Sequence, residues 1–378
     1  MLIDSQVMEQ AVEWRRHLHS HPELSFEEFE TAAFVEERLR EIGGLELERP
    51  TPTSVVAHLR CGDGPVLALR ADMDALPIHE ESGVSFTSTR PGVMHACGHD
   101  THTATLLAVV RTLVDRRAEL HGEVRFIFQH AEEVFPGGAS QLVSAGVMEG
   151  VDAVVGQHIF AQDELGKVLL LEGRFMASPD VFKITVRGSG GHAAYPHQAA
   201  DPVIAAAQVI VNLQQIVARE IDPIRNAVVS VTEINGGSAD NVIPEEVTFG
   251  GTVRTFEPEV KAHIKEAIQR IANGVAAAHR CTASFDYEDG YAAVINDPQV
   301  TALVRRNVDP ALLIETEPAM GGEDFSAYMQ AAPGCFFAVG GGGEYPHHHP
   351  RFEVDEQGMR VAAEIFVKTA LDFLGAAG

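Results

Sequence analysis

The chain has 378 residues, more than one hydrophobic core usually fills, and 45% of them are hydrophobic, so two ordinary folded domains are expected. Acidic residues outnumber basic ones by 54 to 28, and the resulting net charge of −26 makes nucleic acid and anionic membrane poor partners. No basic-then-apolar leader opens the sequence, and the longest apolar stretches are interrupted by Arg111 and by Gln208, Asn212 and Gln214, which predicts a cytoplasmic protein without a membrane span. Cys61, Cys97, Cys281 and Cys335 are widely scattered and read as reduced thiols rather than a disulfide framework.

In chain order, SFEE at 25–28 has capping-box spacing, and the helical pattern at 31–42 stops at Gly43 and Gly44. Apolar runs at 54–59 and 66–70 predict strands, followed by a helix near 102–120, a strand at 122–129, a helix at 139–148 and a strand at 152–158. Such alternation implies an α/β domain whose mostly parallel sheet is flanked by helices. After about residue 177 the rhythm changes. A strand at 179–186, a helix opened by Asp201 and Pro202, strands at 228–234 and 247–256, a helix at 257–278 and a strand at 281–287 give the β-α-β-β-α-β order of a ferredoxin-like α+β sandwich. Past 292 the α/β pattern returns and closes with an amphipathic helix at 356–374. The expected division is therefore a catalytic domain of 1–176 and 292–378 with a smaller domain, 177–291, inserted into it.

Polar clusters follow the predicted strands, where open α/β sheets place their ligands. Asp72 and Asp74 lie in LRADMDALP, Cys97 and His99 in HACGHD, Glu132 and Glu133 in FQHAEEVFPGG, and His158 in VVGQHI; His347, His348 and His349 come later. A glutamate pair alone reads as a solvated loop, and a triple histidine before proline as a polar turn. Their recurrence at successive strand ends argues for a metal site. Thiolate, imidazole and carboxylate together suit zinc, manganese, cobalt or nickel, whereas calcium and magnesium sites are built from oxygen. Of two adjacent glutamates, one can ligate while the other takes a proton from water that the ion has acidified to a pKa of about 7. GGGGE at 340–344 lacks the Lys-Ser/Thr of a phosphate loop and is a turn, and His17, His19 and His21 alternate like a solvated segment.

WRRHLHSHPELSFEE, RADMDALP, HACGHDTHTA, AEE followed by PGGA, GSGGHAAYPH, NVIPEEVTFGGTVRTF and GGEDFS together resemble the M20 metallopeptidase family, in matching order along nearly the whole chain. More narrowly they are similar to its amidohydrolase branch, which holds aminoacylase-like, hippurate-hydrolase-like and auxin-conjugate-hydrolase-like enzymes. The resemblance implies a two-metal site in the large domain and a smaller domain that serves as lid and dimer contact, hence a homodimer or higher homo-oligomer. Carried over motif by motif, Cys97, His99, Glu133, His158 and His348 are ligands and Glu132 is the general base. His348 is chosen because it stands four residues before Phe352, with His349 as the fallback. Asp72 would hold a ligand or water, since Arg70-Ala-Asp72 stands where other branches have His-x-Asp. His192 matches a lid histidine that reaches a partner subunit's site and polarises the scissile carbonyl. Asn241 and Arg254 match positions suited to gripping a substrate carboxylate, for which arginine's planar fork is apt; the alternative for Arg254 is a strand-end salt bridge. His130 stands where relatives commonly carry proline. The implied activity is hydrolysis of N-acyl amino acids or similar small amides with two divalent ions (Zn, Mn, Co or Ni). Its rivals are a dipeptidase or carboxypeptidase of the same family, a thiol hydrolase with Cys97 as nucleophile, and a metal- or ligand-binding protein without turnover.

Overall fold

In the computed structural model, which describes residues 2–375, the chain divides into two units, one formed by Met1–Phe175, Ile295–Pro318 and Asp324–Gly378 and the other by Met176–Val294 and Ala319–Glu323. Helix α1 (Ser5–Ser20) is capped by Asp4, whose carboxylate accepts the Gln6 amide at 2.8 Å. Helix α2 (Phe29–Ile42) runs to Gly43, but the expected capping box does not form. Ser25 Oγ donates instead to Asp74, and the Glu28 carboxylate turns inward to the Ala131 amide. Strands β1 (Glu46–Glu48), β2 (Val55–Arg60) and β3 (Val66–Asp72) lead to helix α3 (His99–Asp115), strand β4 (Glu123–Gln129), the short helix α4 (Gly138–Ser144), and strands β5 (Ala153–Phe160), β6 (Val168–Leu169) and β7 (Gly173–Met176).

The second unit then supplies β8 (Ser178–Arg187), β9 (Gly191–His192), α5 (Pro202–Leu213), β10 (Ala227–Gly236), β11 (Val242–Ile243), β12 (Glu246–Thr255), α6 (Pro258–Ala278) and β13 (Thr282–Glu288). After β14 (Val294–Asn296) the chain resumes the first unit with α7 (Pro298–Arg306), β15 (Leu313–Ile314), α8 (Ser326–Ala331), β16 (Gly334–Gly340) and α9 (Gln357–Leu374).

The first unit is built on an eight-stranded sheet in the order β1-β2-β4-β3-β5-β16-β6-β15. Its centre, β4-β3-β5-β16, is parallel, while β1 and β2 form an antiparallel edge and β6 runs antiparallel to β16. Because the central strands are covered on both faces, they read as continuous apolar runs, with Leu67, Leu69, Phe126, Phe128, Val155, Phe337 and Val339 all buried in one core with α3 and α9. That layering brings the carboxyl ends of β3, β4 and β5 side by side.

The second unit is an antiparallel sheet in the order β10-β12-β8-β13 packed against α5 and α6, the ferredoxin-like arrangement expected from the element order. Burial along β8 alternates with period two, so Phe182, Ile184 and Val186 face Ile264 and Ile268 of α6 and Val209 of α5 in a separate core. Helix α5 starts as its sequence predicts, with Pro202 in the first turn and Asp201 accepting the Val203 amide at 2.8 Å.

Candidate metal centre

Cys97 and His99 flank Gly98, the N-cap of α3, whose φ of 90° belongs to the left-handed region. A Cβ there would lie 2.4 Å from the Ile159 side chain, so this approach of the loop to β5 requires glycine. His99 Nδ1 donates to Asp74, 3.0 Å from its carbonyl and 3.1 Å from Oδ1. Its Nε2 is left buried with no hydrogen-bond partner among the described residues. His158 Nδ1 donates to the Ile159 carbonyl at 2.7 Å, which fixes the tautomer and points Nε2 at Cys97 Sγ, 3.4 Å away. His348 Nε2 lies 3.2 Å from Glu133 Oε1. The donor atoms of Cys97, His99 and His158, of Cys97, Glu133 and His348, and of His99, Glu132 and Glu133 form triads in which every pair lies within 4.8 Å. Residues from four separate strand ends and loops thus share one cluster.

The histidines of this region separate by what their second nitrogen does. His348 turns toward Glu133 with a φ of 63°, whereas His349 stacks on Tyr345 at 4.6 Å and accepts the Arg351 amide. His102 has both nitrogens occupied: Nδ1 donates to Asp72 at 2.6 Å and Nε2 accepts the Ile159 amide at 2.9 Å. Asp72 also accepts from Arg70 at 2.6 Å, so its carboxylate supports His102, and its Oδ2 lies 3.8 Å from His99 Nε2. The carboxylate within hydrogen-bond distance of His99 is Asp74, in the same motif, to which sequence reasoning gave no role. His347 was named in the histidine run but given no role. It is largely buried, its Nε2 accepts the Ala161 amide at 3.1 Å, and its Nδ1 lies 3.9 Å from Cys97 Sγ. His130 Nε2 donates to Gln141 of α4 at 3.1 Å, away from the donor cluster. His19 corrects its expected solvated character: it is 1% exposed and bonded to Asp100 and Glu80.

Electrostatics show what the cluster needs. Burial and the neighbouring charges of Glu133 and Glu132 hold the Cys97 thiol well above its ordinary range. Burial keeps His158 well below its ordinary range, with its lone pair available. His99 is buried too, but Asp72, Asp74 and Glu133 outweigh that and push it up to about 10. Converging carboxylates, a thiol and an orphaned imidazole nitrogen call for a cation, and a divalent ion would satisfy His99 Nε2 and favour the Cys97 thiolate at once. A raised thiol beside a neutral His158 is the reverse of the thiolate–imidazolium pair of a thiol hydrolase.

The second unit carries the remaining expected residues. His192 in β9 is exposed, pairs with Val242 of β11, and accepts the Ala194 amide at 3.1 Å. Asn241 is exposed, and its carbonyl accepts the Ala193 amide at 3.0 Å. Arg254 in β12 is half-buried and donates to the Met320 and Val253 carbonyls, each at 3.1 Å, and to Thr252. Asp180 is near enough to favour its charge, but no carboxylate among the described residues lies within salt-bridge distance of it.

Residues 68–372 match the peptidase family M20/M25/M40. The chain belongs to this family. It is 49% identical over 327 residues to the N-acyl-L-amino acid amidohydrolase of Geobacillus stearothermophilus, covering 84% of this chain and 87% of the relative. It is 41% identical over 373 residues to thermostable carboxypeptidase 2 of Saccharolobus solfataricus, covering 96% and 95%. Among solved structures, a dinuclear metal-binding M20 peptidase of Bacillus subtilis has a TM-score of 0.86 and 38% identity over 98% of this chain and 99% of that one. The family and the two-part α/β fold expected from the motifs hold, as does the expectation of an enzyme of the hydrolase class.

Proposed function

We propose that this M20 protein hydrolyses the amide bond of N-acyl amino acids, or of similar small linear amides, to a carboxylate and an amine. Cys97, His99, Glu133, His158 and His348 hold two divalent ions, drawn from zinc, manganese, cobalt and nickel because the donor set mixes thiol, imidazole and carboxylate. The observation that carries the proposal is Glu132, a second carboxylate inside the cluster beside Glu133 and His99. When bound, the ions polarise the scissile carbonyl and lower the pKa of water to about 7. Glu132 takes the proton of the attacking water and delivers it to the leaving amine. His192 donates to the developing oxyanion. Arg254 and Asn241 bind the substrate's carboxylate; Arg254 is hydrogen-bonded to carbonyl and hydroxyl oxygens and not to a carboxylate, which suits its planar fork to receive one.

The amidohydrolase of Geobacillus stearothermophilus supports the N-acyl reading. The carboxypeptidase of Saccharolobus solfataricus favours a second one, cleavage of a peptide at its carboxyl end, which asks the same of Arg254. Protein prepared with each metal in turn is assayed against N-acetyl amino acids, N-benzoyl amino acids and dipeptides, before and after chelation. Turnover of the N-acyl compounds that chelation abolishes and metal restores is expected. Preference for dipeptides selects the second reading, and turnover that survives chelation overturns both.

Helix α5 leaves Val203, Ile204 and Val211 exposed, an apolar face that supports a homodimer built through the second unit. No helix among the described residues is long and apolar enough to cross a membrane, and the four cysteines are free, which supports a cytoplasmic setting.

A further inference from the structure

The turn that carries Glu132 and Glu133 is held by N-terminal residues that have no part in the chemistry so far. Ala131 adopts a φ of 50°, a left-handed conformation that is unfavourable for a residue with a Cβ. Its amide donates to Glu28 Oε1 at 2.7 Å, and its carbonyl accepts the Gly138 amide at 2.8 Å. Two residues on, the Glu133 amide donates to Asp74 Oδ2 at 3.0 Å, an oxygen that also accepts from Ser25 Oγ at 2.6 Å. Glu28 and Ser25 come from one tetrapeptide, SFEE, which is not used as a helix cap.

Glu28 is 0% exposed, and a carboxyl group so buried is costly unless it is engaged. It spends one oxygen on the single amide that enters the left-handed turn. Burial, reinforced by the charge of Asp74, pushes Glu28 up to about 8, and the Ala131 amide asks of it only an acceptor oxygen, which glutamine also carries.

We propose that Glu28 is a positioning residue for Glu132: by holding the Ala131 amide it fixes the left-handed turn that orients Glu132 toward the water it deprotonates. The inference rests on Glu132 being the general base, and the test separates the two. Metal-loaded full-length protein is compared as wild type, Glu28→Gln, Glu28→Leu, Glu28→Leu with Ala131→Gly, and Glu132→Gln, reading kcat, KM and bound metal per chain. Glu28→Leu is expected to lower kcat by about 10- to 100-fold, the scale of a small misplacement of a reacting group, with KM and metal content close to wild type. Glu28→Gln keeps the acceptor and most of kcat. Adding Ala131→Gly to Glu28→Leu restores most of the lost kcat, because glycine enters the left-handed region without the Cβ penalty.

Unchanged kcat in Glu28→Leu, metal lost in step with activity, or no recovery on adding Ala131→Gly each overturns the inference. Should Glu28→Leu not fold, Glu28→Asp against Glu28→Gln makes the same comparison, since aspartate withdraws the acceptor by one methylene. A fall in kcat for Asp and not for Gln supports the role, and equal rates overturn it. If Glu132→Gln is inactive while Glu28→Leu is unaffected, only the positioning role fails; if Glu132→Gln keeps its rate, the general base fails and the inference with it.

Discussion

Asp74 serves two parts of the proposed metal centre through its two oxygens, Oδ1 toward His99 and Oδ2 toward the Glu133 amide. Outer partners of this kind set the tautomer and direction of a ligand, and their loss typically costs about 10- to 100-fold in metal affinity. Asp74→Asn is therefore expected to weaken metal binding by about that factor in competition with a chelating dye. Unchanged affinity would show that His99 needs no such support. The choice between Asp72 and Asp74 was not legible in RADMDALP. Residues two apart in an extended segment share a face, and what separates them is which imidazole α3 brings to each. His99 and His102 are likewise one turn apart, and only the Ile159 amide, far off in sequence, takes the second nitrogen of His102 out of play. His348 was chosen over His349 from the family resemblance, by its place four residues before Phe352, and it is His348 that the structure turns toward Glu133.

Helices α1 and α3 are joined by a buried charge cluster behind the donor loop. Arg15 Nε and His19 Nδ1 each lie 2.8 Å from Asp100 Oδ2, and His19 Nε2 lies 3.0 Å from Glu80. The alternation of His17, His19 and His21 suggested solvent exposure, yet the segment is helical, and a period of 3.6 places Arg15 and His19 on the same inward face. Removing one member of a buried pair strands its partner, so Arg15→Met is expected to lower the unfolding free energy by roughly 3 kcal/mol in urea titrations. A loss below about 0.5 kcal/mol, the range of surface substitutions, would contradict the clamp.

The pH dependence of this contact follows from the sign of each shift. Burial opposes ionisation of Asp100, but Arg15 and His19 outweigh it and hold the carboxyl far below its usual range. Its contribution is present above the unfolded carboxylate pKa and is lost as pH falls. Burial also disfavours charged His19, but Asp100 and Glu80 raise it overall, so its contribution is present below the unfolded imidazole pKa and is lost as pH rises through the folded one. The stability difference between wild type and Asp100→Asn should therefore be greatest near about pH 5–6 and shrink on both sides. A difference independent of pH would contradict the ionised cluster.

At the scale of the whole molecule, the change from alternating strands and helices to β-α-β-β-α-β and back was plain in the sequence, because covered parallel strands and half-exposed antiparallel strands have different periods. Other parts of the architecture had no such signature. Edge strands β1 and β15, and β6 beside β15, are two or three residues long, too short to show a period, and residues 319–323 join the second unit through the bridge between Met176 and Ala319. The exposed apolar face of α5 leads to a prediction about the proposed homodimer: Val211, 64% exposed in the single chain, is expected to be one of its buried contacts. Val211→Glu should shift sedimentation from dimer toward monomer while the circular dichroism of the fold is kept. An unchanged dimer would place the interface elsewhere.

The separation of roles between ligand Glu133 and base Glu132 is the central claim, and Glu132→Gln tests it most directly when bound metal and turnover of an N-acetyl amino acid are measured on the same sample. Retention of both ions with a fall in kcat of at least about 10²-fold, the smaller end of general acid–base contributions, is the predicted result. A rate within a few-fold of wild type, with the metal still bound, would contradict it.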